Sequence, residues 1–331
     1  MIGSRVVGAG LAVAVAALVL TLPPPPAVGG STALCDDWLP TIVGTDGDDQ
    51  LTGTGHRDVV LALGGADTVD GLGGGDVICG GDGDDIIDGG TGADVVVGQS
   101  GHDRLVGGDG DDRLDGGLSG FFVSEGEQPL PGTGPDDDVV LGGPGNDTVV
   151  DVTGSDTIRT GRGDDDSYVL VYGVLDLDGG PGADHFRVFE NTATDVALRG
   201  GPGQDKLALR VRFEPPAVET VADLSTGAFT MGAVTAEVSG FRDLVLGIRW
   251  PLRLTGTERA DRVVVVTHRA SPPVTARLGA GDDRLVTGTG DDRVDGGPGR
   301  DRADLGPGHD TCVAVEVVSD CENPENPGTS S

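Results

Sequence analysis

The chain has 331 residues, a formal charge of −33, 60 glycines and only 3% aromatic residues. So few rings argue against a conventional globular core, and the acidity argues against nucleic acid and points to cations as partners. Lys206 is the only lysine, which leaves little room for lysine chemistry.

Residues 1–30 read as a secretory signal peptide. Arg5 supplies the charged start, residues 6–22 an apolar run, and PPPPAVGG a helix-breaking exit. Cleavage is expected near Gly29 or Ala33, with an uncleaved anchor as the alternative. No second apolar stretch of membrane-spanning length follows, so the mature chain is expected to be secreted and extracellular, without a membrane span. Residues 31–43 form an N-terminal cap. In an oxidising compartment Cys35, Cys79, Cys312 and Cys321 can pair.

A repeat begins at Gly44, where eight nonapeptides run without a gap to Asp115. Their sixth positions are Asp49, Asp58, Asp67, Asp76, Asp85, Asp94, Asp103 and Asp112. Their eighth positions are Leu51, Val60, Val69, Ile78, Ile87, Val96, Leu105 and Leu114. Glycine fills 21 of the 72 residues, which suits turns with positive φ and close backbone approach. The spacing predicts a six-residue turn followed by a three-residue strand whose central aliphatic points inward. Two nonapeptides then close a coil of 18 residues, and parallel coils stack about 4.8 Å apart, with Asp67 over Asp49 and Asp76 over Asp58.

Stacked carboxylates repel, by roughly 1 kcal/mol at 5 Å in water and more in a drier site. One aliphatic per nine residues is too thin a core to offset that repulsion and the ordering of the backbone. A hard divalent cation suits carboxylates and carbonyls, and calcium tolerates irregular oxygen shells better than magnesium does. The pattern GGxGxDxUx, best seen in DVICGGDGDDIIDGGTGAD (residues 76–94), resembles the RTX (haemolysin-type) calcium-binding repeat. The resemblance implies a parallel β-roll with Ca2+ between stacked turns, held by the turn aspartates and backbone carbonyls. Residues 44–115 carry 17 Asp, three Arg and no Glu, a charge of −14. Two departures weaken the sites at Asp58 and Asp67: His56 replaces a turn glycine, and the next repeat opens ALGGAD.

The first repeat block spans residues 44–117, and residues 118–134 read as a loop inserted between coils. Its LPGTG lacks the tail that a sortase signal needs. A second, partly degenerate block over residues 135–206 carries Asp138, Asp147, Asp156 and Asp165, with Asp184 and Asp205 in longer rungs. Residues 207–277 lose almost all turn aspartates and are expected to continue the solenoid with a period near 20 and a drier core, an independent domain being the alternative. A third block, residues 278–313, restores Asp283, Asp292, Asp301 and Asp310, and residues 314–331 form a cap and tail. Exposed solenoid ends need capping. A Cys312–Cys321 bridge would cap one end, and a Cys35–Cys79 bridge would tie a flap across the other.

The fold class expected is therefore all-β: a right-handed parallel β-roll or β-helix of about 14 coils, ~65 Å long. His56, His102, His185 and His309 fall at or beside turns and His268 precedes two prolines, so none is assigned catalysis. DGDD resembles part of an EF-hand loop, but the required helices and closing glutamate are missing. The function expected is non-enzymatic: a secreted calcium-binding structural or surface protein that folds on binding Ca2+. The alternatives are an adhesin or matrix protein with a specific partner, and the repeat module of a secreted hydrolase or toxin.

Overall fold

A computed structural model describes residues 38–117, 137–151, 154–171, 173–190, 195–211, 220–231, 234–248, 250–266, 272–319 and 321. The signal peptide, Cys35 and the inserted loop at 118–134 lie outside the described residues. Among the described residues there are 29 strands and no helix, hence no helix long and apolar enough to cross a membrane.

The nine-residue frame decides the topology. Each repeat contributes one strand, and the chain crosses to the opposite sheet at every turn, giving one sheet of 14 strands and one of 15. The first runs from Ile42–Val43 to Val317–Ser319, so its end strands lie within the segments expected as caps. Eighth positions stack at a spacing of 18: Val60 on Ile78, Val96 and Leu114 in one sheet, Val69 on Ile87 and Leu105 in the other. All seven are at most 1% exposed, and each contributes about 2 kcal/mol by leaving water. Their strands, facing each other across the coil, make one continuous core.

The strands are longer than expected. Val77–Asp82, Ile86–Thr91, Val95–Ser100 and Arg104–Asp109 each have six residues, not three. The first three positions of the next repeat stay in the inter-coil ladder, as Gly90 on Gly108 and Thr91 on Asp109 show. Close approach makes this possible. At Gly92, φ is +138° and a Cβ would fall on the Gly74 carbonyl oxygen, so only glycine fits. The second repeat position is left-handed too, and there Leu63, Leu72 and Gln99 adopt φ of +86°, +70° and +83°, a conformation that strains L-residues.

Residues 207–277 belong to the solenoid and are not a separate domain, but they do not hold a period near 20. In one sheet Leu207 stacks on Leu244, 37 residues later, and Leu244 on Val263, 19 later. In the other, Thr220–Asp223, Ala228–Met231 and Val234–Ser239 form an antiparallel meander set between parallel neighbours. An Asx-type turn drives the first reversal: Asp223 Oδ1 accepts the Ser225 N–H at 3.0 Å, and Gly227 takes φ of +77°. Aromatics thicken the core here, with Phe186 and Phe241 edge-to-face at 5.4 Å.

At the C-terminal end the chain turns back, with Ala314 at φ +49°, and Cys312 bridges Cys321 with Cα atoms 6.2 Å apart. Cys79 is also disulfide-bonded. It packs with Val97 on the face opposite Ile78, outside the main core.

Candidate metal centre

Positions six and eight of a repeat have the same parity, so the strand that turns the aliphatic inward turns the aspartate inward as well. Every repeat aspartate from Asp67 to Asp112 is at most 2% exposed. The stack is bridged by backbone: the N–H of each aspartate donates to Oδ1 of the aspartate one coil on.

Two ladders result. In one, Asp49 donates to Asp67 (2.7 Å), Asp67 to Asp85 (2.8 Å), Asp85 to Asp103 (2.9 Å), Asp103 to Asp138 (2.8 Å) and Asp138 to Asp156 (3.0 Å). In the other, Asp58 donates to Asp76 (2.8 Å), Asp76 to Asp94 (2.7 Å), Asp94 to Asp112 (2.9 Å), Asp112 to Asp147 (2.9 Å) and Asp147 to Asp165 (2.8 Å). The steps from Asp103 and from Asp112 span 35 residues, one coil of 18 plus the 17 residues of 118–134. Both ladders resume in the third block: Val274 donates to Asp292 and Asp292 to Asp310, while Asp283 donates to Asp301. All sixteen aspartates predicted as ligands therefore stand in a ladder.

Oδ1 is thus satisfied, but in ten ladder aspartates Oδ2 is not. In Asp67, Asp76, Asp85, Asp94, Asp112, Asp147, Asp184, Asp205, Asp283 and Asp301 it is buried without a hydrogen-bond partner. A buried charge without a partner is costly. Burial, helped by neighbouring carboxylates, accordingly raises Asp85, Asp94 and Asp283 to about 6 and Asp147 and Asp184 to about 7.

The orphaned oxygen faces a gap. A Cβ on Gly89, the first residue of its repeat, would lie 2.9 Å from Asp94 Oδ2 and 2.7 Å from the Gly107 carbonyl oxygen of the next coil. At Gly107 the corresponding distances are 2.5 Å to Asp112 Oδ2 and 2.7 Å to the Gly142 oxygen. Glycine at position one keeps this space open between a carboxylate and a carbonyl. Hard cations with oxygen shells at about 2.3 to 2.6 Å match such donors. Among the described residues no three His, Cys, Asp or Glu side chains converge as a metal cluster, so an ion here would draw on carbonyls as much as on carboxylates.

Some members of the ladders were not foreseen as site residues. Asp165 donates to Asp184 and Asp184 to Asp205, both at 3.0 Å, although their spacing departs from 18. Asp261, in a segment read as lacking turn aspartates, donates to Asp283 at 2.7 Å. Its signal was the spacing to the third block, 22 residues, obscured by the longer rung. Asp301 donates to Glu316 Oε2 at 2.6 Å, so a glutamate closes that ladder. The doubts about Asp58 and Asp67 resolve differently. Asp67 has the same orphaned Oδ2 as the regular repeats, whereas Asp58 and Asp49 have theirs engaged by Thr54 and Thr45.

A family model described as the RTX calcium-binding nonapeptide repeat (4 copies) matches residues 41–69, 52–87, 61–96, 88–119, 141–168 and 278–312. These are the stretches in which the two ladders keep a spacing of 18 or skip only the insert. No curated protein is similar to the chain.

Proposed function

The chain is an RTX-type repeat protein, and from that premise we propose that it is a secreted calcium-binding rod whose glycine turns order when Ca2+ fills them. Its role is structural, at a cell surface or in a matrix, rather than catalytic. The observation that carries the reading is the row of buried Oδ2 atoms without partners, which at Asp76, Asp85, Asp94 and Asp112 share the space beside the first glycine of the repeat with a carbonyl of the next coil. The ion would supply the positive charge that these oxygens lack. Separate ions would be held at Asp85 with the Gly98 carbonyl, at Asp94 with that of Gly107 and at Asp112 with that of Gly142. Because each aspartate also accepts an N–H from the preceding coil, fixing one turn positions the next, which favours cooperative uptake.

Secretion is supported by the charged start and apolar run of residues 1–30 and by the Cys312–Cys321 bridge, a bond suited to oxidising compartments. Extracellular calcium modules work at about 10⁻⁴ to 10⁻³ M, concentrations scarce inside cells. The test is a calcium titration of the mature protein followed by circular dichroism. Disorder of the repeat blocks in chelator, a gain of β-structure with calcium and a weak response to magnesium are expected. Full β-structure in chelator, or an equal response to magnesium, would overturn the reading.

A further inference from the structure

One aspartate position serves two kinds of turn. In the glycine kind, residues two and four of the repeat are left-handed and Oδ2 is orphaned, as at Gly81, Gly83 and Asp85. In the other kind threonine closes the turn: GTDGDD at 44–49, GTGHRD at 53–58 and GTERAD at 256–261. Thr54 donates its N–H and its hydroxyl to Asp58 Oδ2 at 2.7 and 2.8 Å. Thr45 does the same to Asp49 at 2.6 and 2.9 Å. Thr257 gives its N–H to Asp261 Oδ2 at 2.6 Å and its hydroxyl to Oδ1 at 3.0 Å.

These turns contain no left-handed residue at positions two or four. Bulky side chains are therefore admitted at the fourth position, where His56 and Arg259 stand in place of a glycine. Thr287 engages its aspartate from position one. Its hydroxyl lies 2.5 Å from Asp292 Oδ2 and 3.1 Å from the Leu305 oxygen, standing in the gap that a glycine leaves open.

At Asp49 and Asp58 two donors on one carboxylate oxygen use its lone pairs, and at Asp261 one donor sits on each oxygen; both arrangements direct positive ends to the side from which a cation would approach. Resting on the calcium reading above, we propose that the threonine turns take no ion. Calcium is confined to the glycine turns, and the coil at 44–58 and the turn at 256–261 are ion-independent starts to the first and third repeat blocks.

Anomalous scattering from a crystal of the calcium-loaded full chain tests this directly. Peaks are expected beside Oδ2 of Asp85 and Asp94, with none beside Asp58 or Asp261. A peak at Asp58 or Asp261 overturns the proposal, and no peak anywhere overturns the calcium reading itself. In solution, native mass spectrometry should show that Asp94→Asn loses bound calcium relative to wild type. Asp58→Asn and Asp261→Asn should keep the wild-type count, and equal losses in all three would overturn the proposal. The crystallographic arm needs no variant, so it decides the matter even where a substitution prevents folding.

Discussion

The first repeat block and the segment at 207–277 build the same coil from opposite materials. In the block, one aliphatic per repeat is buried beside one carboxylate, as with Ile87 beside Asp85. In the later segment Leu207, Leu209, Leu244, Leu246, Val263 and Val265 fill the interior, and among the described residues of 207–260 no aspartate is buried. The second region can hold its packing by leaving water alone. The first has traded apolar volume for charge, and its stability is lent to whatever neutralises that charge. The calcium sensitivity proposed above thus belongs to particular coils and not to the solenoid as such.

The sharpest way to break this contrast is to empty the drier core. Leu244, buried in that segment and stacked between Leu207 and Val263, should cost about 2 to 5 kcal/mol when changed to Ala. The loss should be the same in chelator as in calcium, read by thermal or urea unfolding at both ion levels. A loss appearing only with calcium would mean that the two regions are not energetically distinct.

Truncating a ladder aspartate should do the reverse. Asp94→Ala removes an ion ligand and strands the Asp76 N–H that Asp94 accepts, a penalty of about 1 to 3 kcal/mol. The calcium midpoint should rise by roughly tenfold, since 1.4 kcal/mol is a factor of ten, with little change in chelator. Titration by circular dichroism measures it.

Acidity should separate the regions more gently. In the ion-free fold Asp85 and Asp94 titrate at about 6, and Asp147 and Asp184 at about 7, all above the usual 3.8. A group raised on folding stabilises the fold below its unfolded value and loses that contribution as pH climbs through the folded one. In chelator, therefore, β-structure should increase as pH falls from 8 towards 4, because protons stand in for the ion. With calcium present, the same fall should raise the calcium midpoint, because protons compete. A chelated protein whose circular dichroism ignores pH between 8 and 4 would contradict the burial of these carboxylates.

The smallest effect lies at Leu72, 47% exposed and left-handed at φ +70°. Leu72→Gly should relieve about 1 kcal/mol of backbone strain, offset in part by the freer unfolded chain, and raise the melting temperature of the calcium-loaded form slightly.

The contrast was legible in the sequence where the repeat is strict. Asp85 with Ile87, and Asp94 with Val96, fix both the ladder partner and the inward aliphatic, because a period of 18 leaves one register. The same parity places the carboxylates indoors, although the sequence reads the glycines and aspartates around them only as a turn. Strand length was not legible, since it depends on how closely Gly90 and Gly108 bring two coils together. The meander at 220–239 escaped because alternating residues suit parallel and antiparallel pairing alike. The threonine turns escaped because Thr45 and Thr54 differ from their neighbours by one residue within an unbroken frame.

Glu316 carries a consequence beyond the coil it caps. A stack of parallel coils is a template for another copy of itself, and an unpaired terminus invites fibre growth. In the second ladder both termini are already taken. Asp58 Oδ1 accepts the Thr41 hydroxyl at 3.1 Å, and the Asp301 N–H is given to Glu316 at 2.6 Å. The chain thus supplies that column's first and last rungs from outside the repeat, and a second molecule would have to displace Thr41 or Glu316 to continue it.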